Sequence, residues 1–290
     1  MTRQDSFQQR SPTPAAPPAL NETFRVEGRS YKGLNQALAD LPAITSSVQS
    51  KTGWNLNLSD VRLAVVSPQE LSRRSVVDDL RRTGVPATAD ASLLTQAFNR
   101  LEALAYFHGV IAVYLPKEGA ILMNEARLQS ASKDAVKSAL HHELTHVAQH
   151  QRYPAFVEAL DKAAREYRLW SNHGSDFPRD EQLRQSQKFL DRVQARMSLL
   201  EGQAVTLQRM FEQDFNLVPE VRLGPIDLAL GLTHRFMSGM RHKVGQYVQG
   251  EEIFKRIYDL GLNEVNELFK SPRYTDLVFG RENPRHATPC

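Results

Sequence analysis

Five residues near the middle of the chain, His142-Glu143-Leu144-Thr145-His146, carry residue types and a spacing that could do chemistry. On an α-helix, residues four apart share a face, so both imidazoles can reach one metal ion. Glu143 then lies beside the first ligand, where it can hold a water on that ion and accept its proton. The chemistry on offer is hydrolysis by an activated water. Two histidines are only part of such a site, so a third ligand has to come from elsewhere.

The flanking residues predict the helix that this spacing needs. Ser132 can cap it, and Asp134 falls in the first turn, where negative charge suits the helix dipole. Val136, Leu140, Leu144 and Val147 recur in steps of three and four, which marks one buried stripe. Tyr153-Pro154 predicts the end, because a residue before proline is pushed out of helical geometry. His150 continues the ligand face but lies about 12 Å along the axis from His142. It cannot close on the same ion. The extended metzincin pattern is also absent, with Gln149 and Arg152 standing where its glycine and last histidine belong. His141 points to another side of the helix, and both extra histidines read as supporting or surface residues.

The best third ligand is Glu201, in Leu199-Leu200-Glu201-Gly202-Gln203-Ala204. A helical stretch from about 180 to 215 carries Leu190, Val193, Met197, Leu200, Ala204, Leu207 and Phe211 at steps of three and four. Glu201 sits one position off that seam, where a carboxylate needs a partner or a metal. Spacing alone serves equally well for a solvated glutamate on an amphipathic helix. Gly202 costs helix stability and so predicts the close approach of another backbone or side chain.

The run from His142 to Gln151 resembles the H-E-L-x-H-x-x-Q-x-Q site helix of bacterial zinc metallopeptidases of the gluzincin group. Their third ligand is a glutamate in an E-G-x-A segment on a later helix, which Glu201-Gly202-Gln203-Ala204 matches. Gln203 stands where relatives often carry an acidic residue. Residues 111–115 and 120–123 resemble the hairpin that leads to that site. Tyr247-x-x-Gly250-x-x-x-Phe254 and the stretch from Leu268 to Asp276 resemble its closing region. The resemblance spans roughly residues 60–280, and only the two metal segments are specific.

It implies one Zn²⁺ bound by His142, His146 and Glu201, with Glu143 as general base in the hydrolysis of a peptide or protein substrate. Two imidazoles and a carboxylate leave a coordination position for water. A donor for the developing oxyanion is also needed. Tyr247 is the first choice because it falls in the resembling Tyr-x-x-Gly segment, ahead of His234 and His242. His173 reads as a loop residue. The alternative from another class is a metal-stabilised binding or regulatory protein, with His150, His173 or His234 closing the shell. A peptidase exported as an effector or toxin is a third reading.

The elements that must position these residues predict an α+β fold, mostly helical and zincin-like, with a small sheet next to the site helix. Val61 to Val66 reads as a buried strand. Ser67-Pro68-Gln69-Glu70 then predicts a helix start with a capping box. A helix is expected over Leu93 to Leu104, and a hairpin over 111–123 turned by Pro116 to Gly119. Leu122 and its neighbours could pair with an extended substrate if that strand edge is free.

Residues 1–22, rich in Pro, Gln, Ser and Ala, read as a disordered tail before one catalytic domain over 23–290. Within that domain an α/β part extends to about residue 130, and a helical part follows. Composition is ordinary for a globular chain, with 41% apolar and 24% charged residues. The single cysteine, Cys290, excludes an internal disulfide and a cysteine-built metal site. A net charge of +3 without a basic stripe argues against nucleic acid as the main partner. No transmembrane run and no secretory signal core are found, so a cytoplasmic home is the default and non-classical export stays open.

Overall fold

The computed structural model describes residues 25–84, 110–172, 178–220, 250–251, 254 and 262–270. In chain order the elements are β1 (Val26–Glu27), α1 (Lys32–Ala39), α2 (Leu41–Thr52), β2 (Arg62–Val66), α3 (Pro68–Thr83), β3 (Ala112–Leu115) and β4 (Ala120–Asn124). They continue with α4 (Glu125–Leu128), α5 (Lys133–Arg152), α6 (Pro154–Asn172), α7 (Arg179–Asp214) and α8 (Leu262–Lys270). The expected tail, the helix over 93–104, and His173, His234, His242, Tyr247 and Cys290 all lie outside the described residues.

The sheet has the order β1-β2-β4-β3. β1 pairs with β2 and β2 with β4 in parallel, whereas β3 and β4 form the antiparallel hairpin. All five residues of β4 are buried, as a central strand covered on both faces requires. Its alternation is clean. Ile121 and Met123 join Leu63 in the main core, while Ala120 and Leu122 join Ala64 and Leu71 on the α3 side. The main core also holds Leu34, Ile44 and Val48 from α1 and α2, and the stripe Val136, Leu140, Leu144 and Val147 from α5. A mixed four-stranded sheet within a mostly helical chain is an α+β architecture.

This pairing corrects the expected substrate edge. Leu122 is fully buried between Ala64 of β2 and Val113 of β3, so β4 has no free edge. The outer strand is β3, and among the described residues no strand pairs with its far side. Asp78 on α3 fixes the hairpin turn, because its carboxylate accepts the backbone N–H groups of Lys117 (2.9 Å) and Glu118 (3.1 Å). Gly119 closes that turn at φ +61°, a left-handed conformation that suits glycine.

Helix ends follow the sequence closely, with one exception. Ser132 caps α5 by accepting the N–H of Ala135 at 3.1 Å, and the helix stops at Arg152, before Tyr153-Pro154. Ser67 caps α3 by accepting the N–H of Glu70 at 3.3 Å. The Glu70 carboxylate takes the Arg73 guanidinium at 2.7 Å, so the expected capping box is only half formed. α7 packs along both α5 and α6, and this brings a residue from the far half of the chain to the site helix.

Candidate metal centre

His142 and His146 project from one face of α5 with their Nε2 atoms 3.1 Å apart. Glu201 reaches them from α7, its Oε2 at 3.4 Å from each Nε2. These three atoms form a nearly equilateral triangle. A tetrahedral ion with bonds of about 2.0–2.2 Å holds its ligand atoms about 3.3–3.6 Å apart. The triangle fits one face of such a tetrahedron. It is also the group of His, Asp and Glu side chains, among the described residues, whose spacing could hold a metal ion.

The reading of Glu201 as a solvated surface residue fails, since its side chain is only 7% exposed, against 13% and 14% for the two imidazoles. Close backbone approach at Gly202 is also found. A Cβ placed there would lie 2.5 Å from the Cα and 2.6 Å from the carbonyl oxygen of Gly250. In return, a Cβ on Gly250 would lie 2.7 Å from Gly202 Cα. The Gly250 backbone therefore crosses α7 at the turn that presents Glu201, and Phe254 is buried in the main core.

Electrostatics at the triangle call for positive charge. Burial works against a proton on His146, but the Glu201 carboxylate, Glu143 and the Gln149 contact outweigh it and push the imidazole up to about 9. A divalent ion meets the same demand. Glu143 stands outside the triangle. It is 8% exposed, and its Oε2 accepts the backbone N–H of Tyr114 on β3 at 2.7 Å. Burial raises its pKa and Glu201 adds to this, against the lowering influence of His142 and His146. A buried carboxylate with a raised pKa, held apart from the triangle, could take up a proton there.

No protein-family model, curated protein or solved structure matches this chain.

Both extra histidines are accounted for. His141 is fully buried, stacked on Phe211 at 4.4 Å with its Nε2 3.3 Å from Ser47 Oγ, so it belongs to the core and not to the surface. Burial, with His142 and Lys51 nearby, lowers its pKa to about 3. The His150 ring packs edge-on against Tyr114 at 5.4 Å, away from the triangle, so it is not a fourth ligand here. Burial and the charges of Arg82, His146 and Lys117 lower its pKa to about 3 as well. With Lys117, Val157 and Asp161, these two rings line a recess of about 240 Å³ at the end of β3.

Three contributors were not singled out by residue type and spacing. Gln149 Oε1 meets His146 Nδ1 at 2.8 Å, and Gln208 Oε1 meets His142 Nδ1 at 2.9 Å. Gln208 lies seven residues after Glu201, two turns along the same face of α7, and that spacing could have pointed to it. The third is the Tyr114 backbone N–H, for which residue type gives no signal. Gln203 is buried and accepts the Gln149 amide at 2.9 Å, so it supports the site through another glutamine.

Proposed function

We propose that this chain is a zinc-dependent metallopeptidase with a zincin-like fold and a gluzincin-type ligand set. His142, His146 and Glu201 would hold the ion. One observation carries the reading: two histidines from one helix and a buried glutamate from another converge at tetrahedral spacing, with a separate buried carboxylate beside them. A donor set of two imidazoles and one carboxylate favours zinc over the oxygen-seeking ions.

When bound, the ion lowers the pKa of a water towards roughly 7 and polarises the scissile carbonyl. Glu143 would accept a proton from such a water and pass it to the leaving amine. The Tyr114 N–H fixes the Glu143 carboxylate, so the base does not have to be ordered in each cycle. The backbone of β3 supplies the binding surface. Ile111 O accepts from Asn124 N at 2.8 Å, which sets the ladder's alternation and turns Ala112 and Tyr114 outward. The Tyr114 carbonyl and both Ala112 groups then face an extended peptide lying along the edge. Main-chain pairing of this kind is independent of substrate side chains. Tyr247 is proposed as the oxyanion donor on the resemblance alone.

Glu143→Gln tests the mechanism. The variant should bind zinc at the wild-type stoichiometry and lose hydrolysis of an unfolded protein substrate. Retention of full activity by that variant would refute Glu143 as the base.

A further inference from the structure

We infer that Gln149 and Gln208 fix the tautomer of the two ligand histidines, holding each ring with its proton on Nδ1 and its lone pair on Nε2, aimed at the ion. The inference rests on the metal-site reading above and adds two positioning residues to it.

The argument turns on which end of each amide faces its histidine. The NH₂ of Gln149 donates to the backbone carbonyl of Leu200 at 2.9 Å. A carbonyl only accepts, so that end of the amide is nitrogen, and the oxygen is the end facing His146 Nδ1. The NH₂ of Gln208 donates to Glu212 Oε1 at 3.2 Å and to Ser138 Oγ at 2.6 Å. Ser138 spends its own proton on Glu212 at 2.5 Å, so its oxygen can only accept from Gln208. The Gln208 oxygen therefore faces His142 Nδ1. An amide oxygen cannot donate, so both Nδ1 atoms must. In a neutral imidazole that leaves the lone pair on Nε2. Two independent networks thus yield the same tautomer, and it is the one that metal ligation through Nε2 requires.

The choice of amides over carboxylates has a charge rationale. Outer carboxylates commonly orient metal-bound histidines and make them more basic. Here Glu201 and Glu143 are both buried close by and balance one divalent ion. A third buried negative charge would be uncompensated, and burying such a charge is costly. A glutamine orients the ring without adding it.

The test is zinc affinity, measured by competition with a chromophoric chelator, for wild type and Gln208→Met. Methionine keeps the shape of the side chain and removes the acceptor. Affinity should fall about 10- to 100-fold, the usual consequence of losing such a partner, while the urea midpoint of the zinc-free protein shows that the fold persists. Spectra of the zinc-loaded wild type labelled with ¹⁵N-histidine should show two rings protonated at Nδ1 and bound through Nε2. Should Gln208→Met fail to fold, Glu212→Met carries the test. It removes the oxygen that accepts from both Ser138 and the Gln208 amide, so the amide is free to turn over, and affinity should fall in the same direction. Wild-type affinity in the folded Gln208→Met variant, or in Glu212→Met where that variant carries the test, would overturn the inference alone, as would ligation through Nδ1. Absence of zinc binding by the wild type would overturn the metal site itself, and this inference with it.

Discussion

Replacing Gly202 by alanine tests whether the close crossing beside Glu201 exists in solution. The added Cβ would lie 2.5 Å from Gly250 Cα and 2.6 Å from Gly250 O, and both are backbone atoms that cannot rotate away. Ordinary contact needs about 3.5 Å or more, so the two segments must part by about 1 Å. Overpacking of this kind costs about 1–3 kcal/mol. Alanine returns about 1 kcal/mol of helix propensity relative to glycine. The net expectation for Gly202→Ala is a loss of up to about 2 kcal/mol in urea unfolding of the metal-free protein. Gly250→Ala should act similarly, since its Cβ would meet Gly202 Cα at 2.7 Å. The double variant should cost less than the sum, because one separation accommodates both methyl groups. Zinc affinity tells which partner moves: it falls if α7 shifts and carries Glu201 with it, and holds if the Gly250 backbone yields. A Gly202→Ala protein about 1 kcal/mol more stable than wild type, the gain expected of a helix with nothing crossing it, would show that the crossing is not formed, and the placement of Glu201 would lose its support.

Two other perturbations separate ligand from core histidine. Glu201→Ala opens one corner of the triangle, and zinc content by elemental analysis should drop well below one ion per chain; unchanged content would remove Glu201 from the ligand set. His141→Gln addresses pH dependence. The folded-state pKa of His141 is depressed to about 3, below the usual 6.5 or so of an unfolded chain. Below that value the unfolded chain takes up a proton that the folded one refuses, so stability falls as pH drops from about 6.5 towards 3. At pH 5 this amounts to about 2 kcal/mol. Between pH 7 and pH 5, wild type should lose about that much more stability than His141→Gln; parallel losses in the two proteins would mean that His141 is not held neutral.

The helix that carries His142 and His146 was legible in the sequence because local rules govern it. Ser132, the buried stripe and Tyr153-Pro154 each act within a few residues, and α5 runs from Lys133 to Arg152 as they predict. β2, the hairpin and α7 were legible for the same reason. Gly202 went further, since a glycine inside an apolar helix pointed to close approach, and Gly250 meets it. Strand order was not legible. Periodicity marks β4 as apolar without saying that it lies between β2 and β3, so the free edge was first assigned to Leu122 and belongs to β3. The half-formed capping box has a similar origin, because Arg73 competes for the Glu70 carboxylate one turn on.

His141 shows why residue type alone misassigns a histidine next to a ligand. It shares a helix with His142 and His146, yet rotation by one residue turns it towards Phe211 and Ser47 and into the core. The same helical geometry that joins residues four apart separates neighbours. A buried neutral imidazole stacked on an aromatic ring packs α5 against α7, and those two helices supply all three corners of the triangle. The core and the proposed metal site therefore share one interface. Loosening the His141 side should be felt at Glu201, because the distance between α5 and α7 sets both the Phe211 stack and the 3.4 Å spacing of the carboxylate to the rings.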